Sequence, residues 1–168
     1  MVERQINADK QIKQTLQPEL DKIIDPGLIQ ILEAANKKQA LSALIDCLAA
    51  TPQVKDREEL ARGIAYREEL MSTGIGMGIA VPHVRLASVT DIVMCMALCR
   101  PPITDYDSLD GLPVQIIFMI AAGKLQHAQH LKLLSAISSK LKDKQLRDNL
   151  IEAPDAETFY NILTDTNG

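Results

Sequence analysis

A chain of 168 residues, 46% apolar and 24% charged, is long enough for one domain with a hydrophobic core and does not demand a second. A formal charge of −4, with no lysine or arginine block, excludes a protein whose main task is to neutralise nucleic-acid phosphates. No apolar run approaches the ~18 residues of a membrane span, and Met1 to Gln5 lack the apolar core of a signal peptide, so a cytoplasmic protein without direct membrane insertion is expected.

Residues 1–20 are polar, with a weak apolar rhythm through Ile6, Ile12 and Leu16, and predict an N-terminal helix or a partly ordered arm. Leu28 to Leu32 reads as a strand. Asn36 with Gln39 three residues later has the spacing of a capping box, opening a helix whose apolar face is Leu41, Leu44, Ile45 and Leu48 and which Thr51-Pro52 ends. A second capping-box spacing, Asp56 with Glu59, opens a helix running towards Leu70 through Leu60 and Ile64. On it Arg67 shares a helical face with Leu60, Ile64 and Met71, so its guanidinium either snorkels at the rim of the core or aims at an anion just downstream.

Ile79 to Val84, Ile92 to Cys99 and Val114 to Ala122 have the length and β-branched content of strands. Cys95 and Cys99 share one strand face about 13 Å apart, too far to share a metal ion. With Cys47 they read as reduced core thiols rather than a disulfide framework. Leu131, Leu134, Ile137 and Leu141 then mark a helix from about Ala128 to Leu141, and further helices fit Lys144 to Ile151 and Asp155 to Leu163. The alternation predicts a single α/β domain, a mixed parallel and antiparallel β-sheet with helices on both faces.

The chemistry concentrates in the run from Gly74 to Arg85. Gly74, Gly76 and Gly78 let the backbone take positive φ and turn N–H donors towards an anion, and His83 follows five residues after the last of them. An imidazole with a pKa near ~6.5 is mostly neutral at cytosolic pH and can act as a nucleophile if its other ring nitrogen is held by an acceptor. The glycine-loop N–H groups, the Ser72 and Thr73 hydroxyls and a second histidine would supply donors to a phosphoryl group. The remaining histidines, His127 and His130, lie at i and i+3 of a helix. Read alone, His127 is a solvated helix-start residue and His130 a partly buried one. A zinc site built on all three is the weaker reading, since no carboxylate completes a familiar ligand motif and the glycines would have no task.

The run from Arg67 to Gly76, followed by Gly78-Ile79-Ala80-Val81-Pro82-His83, resembles the signature of the enzyme IIA component of the bacterial phosphoenolpyruvate-dependent phosphotransferase system, of the fructose and mannitol class with its nitrogen-regulatory members. Arg67 stands sixteen residues before His83, as the family's arginine does, and His130 to Leu134 is similar to the family's second histidine and its helix. The match runs from about Asp21 to the C-terminus, so residues 21–168 are expected to form the IIA-type domain. The resemblance implies that His83 accepts a phosphoryl group from a histidine-containing phosphocarrier protein. It then passes the group to a cysteine of a sugar-permease IIB domain, or its phosphorylation state governs binding to regulatory target proteins. It also implies that His130 assists, that Arg67 stabilises charge or the loop, and that no metal or other cofactor is needed.

Two positions depart from the family's pattern. Val84 stands where a small residue is usual and is expected to narrow the approach of a partner. Met77 replaces a residue that is often polar. Both leave a rival reading, a regulatory binding module of the same fold that transfers no phosphate. Sugar specificity and oligomeric state, a homo-oligomer included, stay open.

Overall fold

The computed structural model of the chain describes residues 2–165, with the backbone alone described over residues 9–19. In chain order, helix α1 (Val2–Ile23) and a 3-10 turn (Pro26–Leu28) lead into strand β1 (Ile29–Leu32), then helices α2 (Lys37–Ala49) and α3 (Arg57–Leu70). Strands β2 (Gly74–Gly76), β3 (Ile79–Ala80), β4 (His83–Leu86), β5 (Val93–Ile103) and β6 (Val114–Gly123) follow. Helices α4 (His127–Lys140), α5 (Lys144–Ile151) and α6 (Ala156–Thr164) close the fold.

Both predicted caps start their helices. The Asn36 side chain accepts from the Gln39 N–H at 2.9 Å, and the Gln39 side chain reaches back to the N–H of Ala35, one residue before the cap. Asp56 likewise accepts from the Glu59 N–H at 3.0 Å. Asp143 and Asp155 cap α5 and α6 in the same way.

The sheet has the order β1-β5-β6-β3-β2, and β4 also pairs with β6. Strands β5 and β6 are antiparallel, with Met96 opposite Phe118, whereas β1 lies parallel to β5 and both β3 and β4 lie parallel to β6. The mixed sheet expected from the sequence is therefore present. The predicted strand Ile79 to Val84 is divided into β3 and β4 at Val81-Pro82, since proline donates no ladder hydrogen bond.

Side-chain alternation along β5 and β6 sorts the core into two layers. Cys95, Ala97, Cys99, Ile117, Met119 and Ala121 pack under α2 and α3. Met94, Met96, Leu98, Ile116, Phe118 and Ile120 pack with α4, α6 and the C-terminal end of α1. Fully burying one such side chain contributes roughly 1.5–3 kcal/mol, which makes this double layer the main stabilising element of the fold. Helix α1 lies along α4 and inserts Leu20 into the second layer. Among the described residues no helix is long and apolar enough to cross a membrane.

Helix α4 departs from the predicted stripe. Its buried residues are His130, Leu133, Ala136 and Ile137, while Leu131 is 51% exposed. Ile137 and Leu141 of the predicted stripe are buried and Leu134 packs partly against the second layer, so only its first position fails: His130, not Leu131, begins the buried face.

Candidate phosphohistidine site

Pro82 ends β3 and delivers His83 as the first residue of β4, opposite Ile120 on β6. By alternation Val84 and Leu86 turn towards the α3 layer, where both pack against the core, and His83 and Arg85 take the opposite face towards α4. There the His83 ring meets the His130 ring edge to face, with centroids 5.1 Å apart.

One hydrogen bond fixes the state of His83. Its Nδ1 lies 2.7 Å from the carbonyl oxygen of Val81. A carbonyl only accepts, so Nδ1 carries the proton and Nε2 keeps the lone pair. Burial holds the His83 pKa below that of a free imidazole, and the charges of Arg67 and Arg85 push the same way against the Val81 hydrogen bond, which raises it. The ring is therefore neutral near pH 7, as a nucleophile needs. His130 is 5% exposed, and burial, with the charges of His83, Arg85 and His127 behind it, pushes its pKa down to about 4. Its Nε2 is buried without a hydrogen-bond partner, a polar atom that an oxygen of a group on His83 could satisfy.

Arg67, in the last turn of α3, donates through Nη1 to the carbonyl of Met71 at 2.7 Å, holding the segment that leads to β2. Met71 itself is 68% exposed and lies off the buried face that the helical spacing suggested. Its N–H closes the helix on the Arg67 carbonyl in an extended conformation, which turns its side chain out of the helical register.

The structure divides the residues expected to cradle an anion. Ser72 and Thr73 stand beside the histidine segment, since the Val81 N–H donates to the Thr73 carbonyl, but both hydroxyls are engaged. Ser72 donates to the carbonyl of Asp107 at 2.5 Å and weakly accepts from Gly74. Thr73 bonds the Glu68 carboxylate and, at 2.7 Å, the Tyr106 hydroxyl. Lys37 completes this buried polar cluster, 2.9 Å from Glu68 and over the Tyr106 ring.

The three glycines build a hairpin instead of a cradle. Gly76 pairs with Ile79, and the two residues between them, Met77 and Gly78, have φ of 59° and 77°, as the tight turn joining β2 to β3 requires. A Cβ on Gly74 would sit 2.1 Å from the carbonyl oxygen of Asp107, so that glycine admits a crossing backbone. The Met77 N–H is taken by the Asp110 carboxylate at 2.7 Å. Gly78 bonds to Gln115 and Ile116 of β6 whereas His83 lies opposite Ile120. At ~3.3 Å per residue the turn is therefore roughly 15 Å from the histidine. Gly76 and Gly78 are corrected from phosphate ligands to turn residues.

His127, at the start of α4, is exposed. Among the described residues no three His, Cys, Asp or Glu side chains gather as a metal ion would require. The residue missed from the sequence is Arg85, whose charge acts on both imidazoles. Its position two residues after His83 on a strand, hence on the same face, was the available signal.

Comparison with known proteins agrees with this architecture. Residues 22–166 match the model of the family described as phosphoenolpyruvate-dependent sugar phosphotransferase system, EIIA 2, and the chain belongs to that family. It is 33% identical over 147 residues to a nitrogen regulatory protein of Pseudomonas aeruginosa, covering 87% of this chain and 95% of that one. It is also 33% identical over 132 residues to the fructose-specific EIIABC component of Bacillus subtilis, matching 79% of this chain but 21% of that longer protein. The crystal structure of the nitrogen regulatory protein IIA-Ntr from Neisseria meningitidis superimposes with a TM-score of 0.78 at 28% identity, covering 85% of this chain and 97% of that one.

Proposed function

We propose that His83 is the phosphoryl carrier of this chain, accepting the group at Nε2 from a phosphorylated histidine carrier protein and handing it to a cysteine of a IIB domain or holding it as a regulatory signal. The observation that carries this reading is the Val81 carbonyl on Nδ1, which leaves Nε2 with its lone pair in a half-buried site beside His130. In the transfer the Nε2 lone pair attacks phosphorus as the bond to the carrier's imidazole breaks, and that imidazole leaves with the bonding electrons. The charges of Arg67 and Arg85 oppose the negative charge on the phosphoryl oxygens. His130 serves through its unpartnered Nε2, and by taking up a proton once a phosphoryl dianion beside it offsets the cost of its burial. Ser72 and Thr73 position the chain before His83 through their backbone and through bonds already made, and they donate to the phosphoryl group only if those bonds exchange.

Incubation with phosphoenolpyruvate, the first enzyme of the system and its histidine carrier should add one acid-labile phosphate to the wild-type chain and none to His83→Ala. Labelling that persists in His83→Ala refutes the assignment. A wild-type chain that takes no label yet binds a regulatory target would replace the carrier reading with that of a non-transferring module.

A further inference from the structure

Away from the histidine site, α2 and the central strand bring two thiols together. Cys95 stands on β5 opposite Met119 and is fully buried in the layer under α2. Cys47, in the last turns of α2, packs against the same layer but remains partly open to solvent. The two sulfurs are 2.7 Å apart, with the Cys95 thiol donating to the Cys47 sulfur. Cys99 lies on the same strand face as Cys95, has no such neighbour, and its burial pushes its pKa up to about 11.

We propose that Cys47 and Cys95 form a reversible intramolecular disulfide when the protein meets a hydroperoxide, with Cys47 as the attacking thiolate and Cys95 as the resolving thiol. The division of roles follows from exposure. A peroxide in solvent reaches Cys47 and not Cys95, and the sulfur it oxidises already touches the thiol that must resolve it. Electrostatics runs the same way. The hydrogen bond from Cys95, supported by one from Gln30, brings the Cys47 pKa below that of a free thiol against the cost of burial. The same bond and the buried position keep Cys95 protonated.

The chemistry balances as two thiols and one hydroperoxide giving one disulfide, one water and one alcohol (a second water for hydrogen peroxide itself). The Cys47 thiolate attacks the terminal peroxide oxygen and the O–O bond breaks, leaving a sulfenic acid on Cys47. The released alkoxide or hydroxide takes up the proton that Cys47 gave up on ionising. The Cys95 sulfur then attacks the Cys47 sulfur, the S–S bond forms, the S–O bond breaks, and the departing hydroxide leaves as water with the Cys95 proton. Two electrons pass from the thiols to the peroxide. The product pins α2 to β5 and closes a long loop, so the oxidised chain should melt at a higher temperature than the reduced one.

The test is treatment of the full chain with hydrogen peroxide, followed by non-reducing intact mass and peptide mapping. The expected result is a loss of about 2 Da, two hydrogens, with Cys47 and Cys95 in one cross-linked peptide that dithiothreitol separates. The same product should form in Cys99→Ser and fail to form in Cys47→Ala, and Cys95→Ala should instead accumulate a dimedone-reactive sulfenic acid at Cys47. Accumulation of that sulfenic acid in the wild type without cross-link, an untouched Cys47, or a 2-hydrogen loss that survives Cys47→Ala each overturns the proposal. The wild-type measurement alone decides the matter should a core variant fail to fold.

Discussion

Protonation of His130 should cost the fold stability in a definite pH window. Its imidazole is 5% exposed, and burial, with the neighbouring positive charges, pushes its pKa to about 4. The unfolded chain binds the same proton near ~6.5. The folded state thus holds fewer protons from this group between those values, and stability must rise with pH across them. The contribution is fully present above the unfolded pKa and is lost as pH falls through the folded one. Integrating the difference from about pH 7 to about pH 5 gives a loss of about 2 kcal/mol from this residue alone. Urea unfolding of the wild type and of His130→Asn, at constant ionic strength across the interval, isolates the effect. The wild type should lose about 2 kcal/mol more than the variant. Parallel losses in the two proteins would show that the buried imidazole accepts its proton without cost, and the electrostatic account of the site would fail with it.

Three substitutions probe the elements around the histidine. Gly74→Ala places a methyl 2.1 Å from the Asp107 carbonyl oxygen and should destabilise the fold by about 3 kcal/mol, measured by denaturant unfolding, with reduced phosphoryl uptake because Ser72 and Thr73 move with it. Met77→Gly removes a left-handed side-chain strain of about 1 kcal/mol. It should leave stability equal or slightly higher and phosphoryl uptake unchanged, and slower uptake would return the turn to the site. Thr73→Val deprives the Glu68 carboxylate of a buried donor and should cost about 1–3 kcal/mol in thermal or chemical unfolding.

Local rules made much of this fold legible. The two capping spacings, at Asn36 and Asp56, depend only on residues three apart, and the strand pair β5–β6 declares itself by apolar runs that no surface element could carry. The glycine run misled because positive φ is the shared signature of an anion-binding loop and of a tight hairpin turn. What decides between them is Asp107 and Asp110, more than thirty residues away, which occupy the space and the donor that an anion would need. The stripe on α4 failed only at its first position, Leu131. Hydrophobic periodicity scores leucines, whereas the face that is buried begins with the polar His130. The cluster of Lys37, Glu68, Thr73 and Tyr106 and the contact of Cys47 with Cys95 are tertiary pairings that no spacing along the chain encodes.

Val84 shows how one position is read differently once its face is known. As the neighbour of the proposed nucleophile it is expected to crowd an incoming partner, but a strand sends adjacent side chains to opposite faces. Val84 therefore points away from His130 and into the layer beneath α3. There it meets Gly63, where an added Cβ would come within 2.8 Å of the Val84 Cγ2. The larger residue beside the histidine and the glycine on the helix thus form one complementary pair, volume added on the strand and withheld on α3. The side chains that share the histidine's face of β4 belong to Arg85 and to His83 itself, and the expectation that Val84 narrows the partner's approach is replaced by one in which it anchors β4 from behind. The Val81 carbonyl, two residues before His83, fixes the imidazole's tautomer and Val84, the residue after it, seats its strand, so the proposed nucleophile is held from both sides along the chain.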